Sequence, residues 1–271
     1  MRTLAPESEG RAPGRGRLQG RRLLVVGAGQ RAIDDPDPPI GNGRAICLLA
    51  SREGASVMCA DMDGESASRT LHLIEQEGGR GRVIVGDAAS EPDMQRIVAE
   101  TTGAFGGIDG LVMNVGIGAG AGLDGTTPEA WDRVLAVNVR AHFLGCKAAL
   151  PAMDRGGAIV LISSVAGLKP GSGIPAYDAS KAALFGLCRH VAREGEKKRV
   201  RANVVVPGLI DTPIGRWATQ GRPSRAATAI PLGRQGTAWE VAYATIFLLS
   251  AEADYITGQQ LVVDGGLSSL R

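Results

Sequence analysis

Short apolar runs alternate with longer segments of helical periodicity along the whole chain. Most of the apolar runs are rich in Val, Ile and Leu and lack polar alternation, which is typical of strands buried on both faces of a parallel sheet. Strands are predicted at residues 22–27, 56–61, 82–86, 110–113, 158–163, 201–206 and 260–263. Helices are predicted at residues 43–53, 64–78, 91–105, 128–152, 175–196 and 237–250.

Several predicted helices carry start signals. Glu91-Pro92-Asp93 and Thr127-Pro128-Glu129 each place a proline beside acidic residues in a first turn. Strand–helix alternation without a long linker or an internal repeat predicts one α/β domain, a doubly wound, seven-stranded parallel sheet of the Rossmann type, over residues 20–271. The carboxyl ends of its strands are expected to build the functional site.

Composition restricts the class of protein. The chain has 271 residues, 44% of them hydrophobic and 21% charged, as in soluble globular proteins. No apolar run reaches the ~18 residues of a membrane helix, and the polar N-terminus has no signal-peptide core. We expect a cytoplasmic protein without a membrane partner. Its scattered cysteines are expected to be reduced, mostly buried thiols: Cys47, Cys59, Cys146 and Cys188.

Isolated histidines argue against a metal site, because His72, His142 and His190 have no metal-ligand spacing. The N-terminus is the one basic region. Residues 1–22 carry six arginines against two glutamates, a net +4, whereas the rest carries 24 basic and 26 acidic residues, a net −2. A basic arm can bind nucleic acid, but no aromatic residue accompanies these arginines and the body is not basic. We therefore favour a disordered basic leader over residues 1–19 and expect no nucleic-acid partner.

Two glycine turns flank an acidic, proline-rich segment. Gly27-Ala28-Gly29 follows the first strand, Gly41-Asn42-Gly43 precedes the first helix, and residues 31–40 lie between them. A glycine turn that leads into a helix lets backbone N–H groups approach a pyrophosphate. Asp61 ends the second strand, where a carboxylate can bind both ribose hydroxyls and repel a 2′-phosphate. This favours NAD over NADP; the alternative is a solvated loop aspartate.

The stretch YDASK carries the strongest chemical signal. Tyr177 and Lys181 are four residues apart on a predicted helix and share one face. A nearby ammonium stabilises a phenolate, so the pair can exchange a proton with an alcohol or carbonyl oxygen. Ser164 ends a strand thirteen residues earlier and can donate to the same oxygen. Asn138 lies inside a long helical pattern, where a buried amide needs a partner.

These motifs resemble the short-chain dehydrogenase/reductase family over about residues 18–267. The resemblance implies a Ser–Tyr–Lys–Asn tetrad of Ser164, Tyr177, Lys181 and Asn138, in which the asparagine holds a water that links the lysine to solvent. It implies hydride transfer between NAD(H) and a secondary alcohol or ketone, with the tyrosine as general acid and base. Omitting residues 31–40 leaves VVGAGQ-GNGRAICLLA, which resembles the family's Gly-x-x-x-Gly-x-Gly turn and identifies these ten residues as an insertion.

The same resemblance implies the contacts of the cofactor. Segments GDAASEPDM, LVMNVGIG, VVVPGLIDTP and ITGQQLVVDGG each resemble a family segment, for the adenine, the central strand, the nicotinamide turn and the last strand. The implied cofactor-binding residues are Gly27, Gly41, Asn42, Asp61, Met62, Asp87, Ala88, Asn114, Gly116, Tyr177, Lys181, Pro207, Gly208, Ile210 and Thr212. The helices 128–152 and 175–196 resemble those that pair subunits, which implies a homotetramer.

Residues 212–236 occupy the place of the family's substrate-covering loop. An apolar lid of Trp217, Ile214 and Ile230 is expected there, over a pocket lined by Leu168, Ile174 and Leu209. Such a pocket suits a cyclic or aromatic secondary alcohol. The arginines of this loop can meet an acidic substrate or form a solvated face, and we favour the solvated face: Arg216, Arg222 and Arg225.

Several alternatives stay open. The insertion 31–40 contains Pro36, Pro38 and Pro39, which prevent a helix. It is either a semi-rigid flap beside the cofactor cleft or an inert surface excursion. The activity can instead be that of a 3-oxoacyl thioester reductase, although Asp61 counts against the phosphorylated cofactor which that activity usually uses. A non-catalytic NAD-binding sensor on the same fold is the third alternative.

Overall fold

Parallel strands form the central sheet of the computed structural model, which describes residues 4–220 and 222–270. The strands of this sheet are β1 (Arg22–Val26), β2 (Ser56–Asp61), β3 (Arg80–Val85), β4 (Ile108–Met113), β5 (Met153–Ile162), β6 (Arg201–Pro207) and β9 (Gln260–Val263). Two short strands, β7 (Ile210–Asp211) and β8 (Gly236–Thr237), pair separately. The main sheet has the order β3-β2-β1-β4-β5-β6-β9. The order reverses between β1 and β4, as in doubly wound sheets, so the predicted fold class is confirmed.

Helices cover both faces of the sheet. They are α1 (Asn42–Arg52), α2 (Gly64–Gln76), α3 (Glu91–Phe105), α4 (Pro128–Leu135), α5 (Ala141–Ala152), α6 (Pro175–Gly195), α7 (Pro213–Thr219), α8 (Pro223–Ala226) and α9 (Ala238–Leu249). Buried residues of α1, α2 and α9 pack on one face, and those of α3, α5 and α6 on the other. Side chains cap several N-termini: Thr237 forms a capping box with Glu240, and Ser90 and Thr127 cap α3 and α4.

The predicted helix 128–152 is not continuous. A π-helical turn, Ala136–Arg140, separates α4 from α5. Such turns widen the backbone by one residue and re-aim the side chains within them, often at functional sites. Here the turn contains the fully buried Asn138. Hydrophobic periodicity does not reveal such a turn, because the apolar positions on either side still follow a helical spacing.

Residues 4–19 differ from the expectation of a leader without packing partners. Leu18 is fully buried in the core cluster that contains α1 and α9. The Arg17 guanidinium donates to the buried Glu53 carboxylate, with Nη2 2.6 Å from Oε1. The Ser8 hydroxyl donates to Glu240 at 3.0 Å and the Ser8 carbonyl accepts from Thr237 at 2.7 Å. The segment packs on the domain because Leu18 is apolar and the Arg17 guanidinium pairs with the buried Glu53 carboxylate.

Three parts of the sequence expectations lie outside the described residues: residues 1–3 of the leader, residue 221 of the substrate-covering loop and residue 271. Within the described ranges, no helix combines the length and apolarity that crossing a membrane requires. Cys47, Cys59, Cys146 and Cys188 are buried free thiols.

Truncation of Leu18 tests whether the N-terminal segment belongs to the core. We expect Leu18→Ala to lower the free energy of unfolding by about 2–4 kcal/mol, because it leaves a cavity in the cluster. Chemical denaturation measures this loss. The matched control is Leu123→Ala, since Leu123 is 84% exposed and its truncation should cost less than about 0.5 kcal/mol. If both substitutions lowered the free energy of unfolding by equally small amounts, the N-terminal segment would be a disordered leader after all.

Candidate active site

The two glycine turns meet at one point of the structure. Gly27 has a φ of 84°, which only glycine adopts without strain. A Cβ at Gly43 would overlap the Gly27 carbonyl, so the start of α1 presses directly on the end of β1. Asn114 Nδ2 donates to the same carbonyl at 2.8 Å. Both turns therefore belong to one loop, and residues 31–40 leave it and return to it.

This loop has the properties of an anion site. Gly41 is the N-cap of α1 and has no side chain to satisfy the first N–H groups of that helix. Free N–H groups and the positive end of the helix dipole bind phosphate. The first turn of α1 therefore fits a pyrophosphate.

Asp61 is fixed beside the glycine loop. Its Oδ2 accepts from Gly29 N–H at 2.8 Å, and its Oδ1 accepts from Asp63 N–H at 3.0 Å. The carboxylate has further lone pairs that can accept from hydroxyl groups. Next to it, Met62 is 75% exposed at the surface. Two backbone N–H groups thus fix the Asp61 carboxylate at the end of β2.

The neighbouring strand β3 brings a second carboxylate to the same edge of the sheet. Asp87 is exposed and accepts from Ala89 N–H at 2.8 Å, while Ala88 is buried. Because β2 and β3 are adjacent parallel strands, Asp61 and Asp87 follow strand ends that lie side by side. This arrangement matches the expected adenosine end of the site.

Ser164, Tyr177 and Lys181 come together at the carboxyl end of β5. The Ser164 hydroxyl lies close enough to Tyr177 to lower the pKa of the phenol. Lys181 Nζ lies 5.7 Å from the centre of the Tyr177 ring and donates to the Ile162 carbonyl at 3.0 Å. The lysine is only 4% exposed. The Ser163 hydroxyl, which the sequence reasoning missed, donates to the Lys181 carbonyl at 2.7 Å and so ties α6 to β5.

Burial dominates the electrostatics of this group. Desolvation lowers the pKa of Lys181 to about 8. Desolvation also raises the pKa of Tyr177 above its ordinary value, against the lowering effects of the Ser164 hydroxyl and the Arg225 guanidinium. The sequence led us to expect that the lysine would lower the phenol pKa. In the protein alone, burial outweighs the charges that favour the phenolate, so Tyr177 is a protonated phenol.

Asn138 is the fourth expected member, and its side chain is fully paired with protein. Its Oδ1 accepts from Ile117 N–H at 2.8 Å, and its Nδ2 donates to the Ile117 carbonyl at 2.9 Å and to the Ser180 hydroxyl at 2.9 Å. Ser180, also missed by the sequence reasoning, donates to the Tyr177 carbonyl at 2.7 Å. The π turn therefore fixes the loop after β4 at Ile117 and the first turns of α6. A Cβ at Gly116 would lie 3.0 Å from Lys181 Nζ, so this loop also needs bare backbone.

The expected nicotinamide end lies after β6. Thr212 is 7% exposed, and its hydroxyl accepts from Gly215 N–H at 3.0 Å as the N-cap of α7. Ile210 is buried in the core cluster of α1 and α9, so its contact with a ligand would be through backbone. A Cβ at Gly208 would lie 2.6 Å from Asp264 Cβ. Asp264, which follows β9, thus leaves room only for glycine at position 208.

The expected apolar lid is only partly assembled. Ile230 packs against the C-terminal turn, where a Cβ at Gly265 would lie 2.9 Å from it. Trp217 is 45% exposed and lies beneath the Arg31 guanidinium, 4.1 Å from the ring centre. Ile214 and Leu168 are exposed, whereas Ile174 and Leu209 are half-buried.

The three loop arginines do not form a solvated face. Arg216 Nε and Nη2 donate to the Asp211 carboxylate at 2.8 and 2.9 Å. Arg222 donates to the Ser172 carbonyl. Arg225 donates to Thr219 Oγ1 at 3.2 Å, and its charge acts on Tyr177. Sequence spacing could not show these partners, because they are distant along the chain or set by loop conformation.

No group of three or more His, Cys, Asp or Glu side chains able to hold a metal ion occurs between residues 4 and 270, position 221 aside. The residues at this edge of the sheet instead fit a dinucleotide. They combine a phosphate-binding helix terminus, a fixed carboxylate at Asp61 and a proton-exchanging pair at Tyr177 and Lys181. Together they can bind an extended ligand and move a proton at its far end.

Comparisons with known proteins agree with this geometry. The family profile described as "Enoyl-(Acyl carrier protein) reductase" matches residues 40–268. A 2-(R)-hydroxypropyl-CoM dehydrogenase of Xanthobacter autotrophicus is 39% identical over 241 residues, 85% of this chain and 95% of the relative. A 3-oxoacyl-[acyl-carrier-protein] reductase of Thermotoga maritima is 35% identical over 253 residues, 93% and 99% of the two chains. A short-chain type dehydrogenase/reductase from Mycobacterium ulcerans superposes with a TM-score of 0.85 at 31% identity, covering 94% of this chain and 91% of that chain.

The buried ammonium has a measurable consequence in the protein without ligand. We expect Lys181 to titrate with a pKa of about 8, because desolvation disfavours its charged form. NMR of protein carrying ¹³C at the lysine Cε measures this titration, and the Lys181→Arg variant assigns the signal by its disappearance. A titration of the assigned signal at the ordinary lysine pKa would contradict the geometry.

Proposed function

The chain belongs to the short-chain dehydrogenase/reductase family, and on that premise we propose that it is an NAD(H)-dependent oxidoreductase of secondary alcohols and ketones. The observation that carries this proposal is the joint placement of Ser164, Tyr177 and Lys181 at the carboxyl end of β5. Parallel strands direct this end toward the crevice in which doubly wound sheets bind dinucleotides.

The cofactor site runs along the carboxyl edge of the sheet. The glycine loop with Gly27, Gly41 and Asn42 would hold the pyrophosphate, and Asp61 and Met62 would flank the ribose. Asp87, Ala88, Asn114 and Gly116 would line the middle of the crevice, and Pro207, Gly208, Ile210 and Thr212 its nicotinamide end. When bound, the nicotinamide ring supplies or accepts the hydride, which is chemistry that no side chain can provide.

The protein's own contribution is to orient one oxygen and to move one proton. Ser164 and Tyr177 would hold the substrate oxygen through their hydroxyl groups. Because burial keeps Tyr177 protonated, it can donate its proton to the oxygen of a ketone. In the alcohol-oxidising direction the phenol must lose that proton first, and the cations Lys181 and Arg225 favour this loss.

Asn138 would support this proton transfer indirectly. Its side chain is occupied by Ile117 and Ser180, so it holds the loop after β4 and α6 in register around Lys181. A water linking Lys181 to solvent would then bind to backbone at this π turn. The proposed role is therefore structural support of the proton path at its buried end.

Asp61 supports NAD over NADP. Its carboxylate, fixed by two backbone N–H groups, would repel a 2′-phosphate. A basic residue of the first turn of α1, Arg44, is engaged by protein: its Nε donates to Thr70 Oγ1 at 3.0 Å and its Nη2 to the Ser66 carbonyl at 3.3 Å. Both features favour a free ribose 2′-hydroxyl at this position.

A 3-oxoacyl thioester reductase is the second candidate. The Thermotoga maritima relative and the matching family profile favour it, since both carry acyl-carrier-protein reductase descriptions. The secondary-alcohol relative of Xanthobacter autotrophicus and Asp61 favour the first candidate. Turnover of 3-oxoacyl thioesters with NADPH, and not of simple ketones with NADH, would establish the second. If neither 3-oxoacyl thioesters nor ketones were turned over, the third alternative, a non-catalytic nucleotide sensor, would be favoured.

We also propose a homotetramer. Trp131 of α4 is 36% exposed and Phe143 of α5 is 47% exposed in the single chain, so α4 and α5 present apolar rings to the surface. Burial of such rings between subunits would remove them from water. Sedimentation velocity measures the subunit count.

Removal of the Tyr177 hydroxyl tests the catalytic assignment. We expect Tyr177→Phe to lower kcat by about 10²–10⁴-fold, because a positioned general acid or base contributes that much. NADH binding should change little, as the ring and its packing remain. Tyr255→Phe is the matched control, since Tyr255 is fully exposed. Normal turnover of a ketone panel by Tyr177→Phe would contradict the proposal.

Neutralisation of Asp61 tests the cofactor preference. We expect Asp61→Asn to lower the preference for NADH, measured as kcat/KM with NADH divided by kcat/KM with NADPH. The ratio should fall roughly 30-fold, or about 2 kcal/mol, because the repulsion of the 2′-phosphate disappears. Glu65→Gln, an equal charge change in the nearby first turn of α2, should leave the ratio unchanged. An unchanged ratio in Asp61→Asn would mean that this carboxylate does not face the ribose.

A further inference from the structure

The segment 31–40, here called the strap, contacts the substrate-covering helix α7. Asp35 Oδ2 lies 2.6 Å from Arg216 Nη1, and the Asp37 carbonyl accepts from the same nitrogen at 3.4 Å. One residue further along α7, Trp217 lies under the Arg31 guanidinium at 4.1 Å. Two consecutive residues of α7 are therefore held by two residues of the strap, through an ion pair and a cation–π contact.

These contacts join the pyrophosphate part of the proposed cofactor crevice to its nicotinamide end. The strap follows β1, whereas α7 follows β6 and β7. In the sheet, β4 and β5 lie between β1 and β6. At about 4.8 Å per strand, the two starting points are about 14 Å apart. For the two to touch, the strap, α7 or both must reach over the carboxyl ends of the intervening strands, where a dinucleotide would lie.

Both ends of the strap are anchored. Gln30 Oε1 accepts from Gly41 N–H at 2.9 Å, which joins the two stems. Gln30 N–H donates to the Ser66 hydroxyl at 2.8 Å, which fixes the stem to α2. Prolines at 36, 38 and 39 restrict the backbone between them. A short, stiff segment with fixed stems can hold a helix in position, whereas a flexible excursion cannot.

Arg216 connects the strap to the nicotinamide end of the site. Its other nitrogens pair with Asp211, which directly precedes the α7 cap Thr212. The hydrogen bonds from Asp37 N–H and from Arg216 lower the pKa of Asp35, so the strap carboxylate is ionised around neutral pH. Arg216 is thus shared between a carboxylate of the glycine-loop insertion and a carboxylate of the substrate-covering loop.

We propose that Asp35 and Arg31 are positioning residues that latch α7 across the crevice, so that release of the dinucleotide requires the Asp35–Arg216 pair to open. This proposal rests on the proposed function for its dinucleotide, but the latch itself exists in the protein alone. It assigns the insertion a role that neither the glycine turn nor the substrate-covering loop has by itself. The cofactor loop and the substrate helix then move as one unit.

The latch is weak enough to open during turnover. The side chains of Arg216 and Asp35 are 39% and 24% exposed, so water and salt screen the pair. Partly exposed ion pairs contribute at most about 1 kcal/mol, which corresponds to about a fivefold change in an equilibrium or a rate. Loss of the Asp35 charge should therefore speed opening about fivefold without unfolding α7.

Charge removal at Asp35 tests the latch. Asp35→Asn keeps the size of the side chain but removes the ion pair. Asp34→Asn is the matched control, because it makes the same change at an exposed neighbour in the strap. Asp35→Glu is the rescue variant, since it restores the carboxylate. The first readout is hydrogen exchange of the amides of residues 214–219 in the protein without cofactor, and the second is the dissociation rate of NADH in stopped flow.

We expect Asp35→Asn to exchange the α7 amides faster and to release NADH about fivefold faster, with Asp34→Asn at the wild-type values and Asp35→Glu close to them. The wild-type NADH dissociation rate should rise between 0.05 and 0.5 M salt, and that of Asp35→Asn should not. Unchanged α7 exchange in Asp35→Asn would overturn the latch. Faster exchange with unchanged NADH release would overturn the gating of the cofactor. If the wild-type protein bound no NADH, the proposed function would fail, and so would the gating, whereas the exchange data would still decide the latch.

Discussion

The Lys181 ammonium is buried directly beside the Tyr177 ring, and much of the surrounding structure serves to hold it there. A buried cation without compensation costs several kcal/mol. Here the Ile162 carbonyl accepts one of its hydrogens, the Ser163 hydroxyl holds its backbone, and α6 is tied through Ser180 to Asn138. The residual cost appears as the lowered pKa of the lysine. A fold need not maintain such an arrangement for stability, so its presence at the carboxyl edge of the sheet points to chemistry at that edge.

The glycine loop and the surroundings of Tyr177 have different physical requirements. At the glycine loop, the requirement is the absence of side chains, because α1 presses on β1 at Gly43 and Gly27. At the tyrosine, the requirement is partial burial, whose desolvation shifts the pKa values of both titrating groups. The strap joins these two parts of the site through Arg216, which is shared by Asp35 and Asp211. In the proposed enzyme this would make cofactor exchange and substrate covering interdependent.

Sequence reasoning predicted most of the fold and named the residues that meet at the candidate site, for a clear physical reason. Strands such as β2 and helices such as α3 have strong local periodicity and capping residues, and Tyr177 and Lys181 are neighbours on one helix turn. What it missed depends on long-range pairing. The partners of Arg17 and Arg216 lie at Glu53 and Asp35, far away along the chain. The π turn at Asn138 changes hydrogen-bond register without changing the apolar pattern. The direction of the Tyr177 pKa shift required the burial of the phenol, which no spacing reveals.

In the proposed enzyme, the Tyr177 hydroxyl faces the reacting atoms of a bound dinucleotide and alcohol. A crystal structure of the protein soaked with NAD and a panel of secondary alcohols would show whether it does. We expect the nicotinamide ring at the carboxyl end of β5, with the alcohol oxygen about 3 Å from both the Tyr177 and the Ser164 hydroxyl groups. Density that places the nicotinamide elsewhere, or the alcohol beyond reach of Tyr177, would contradict it.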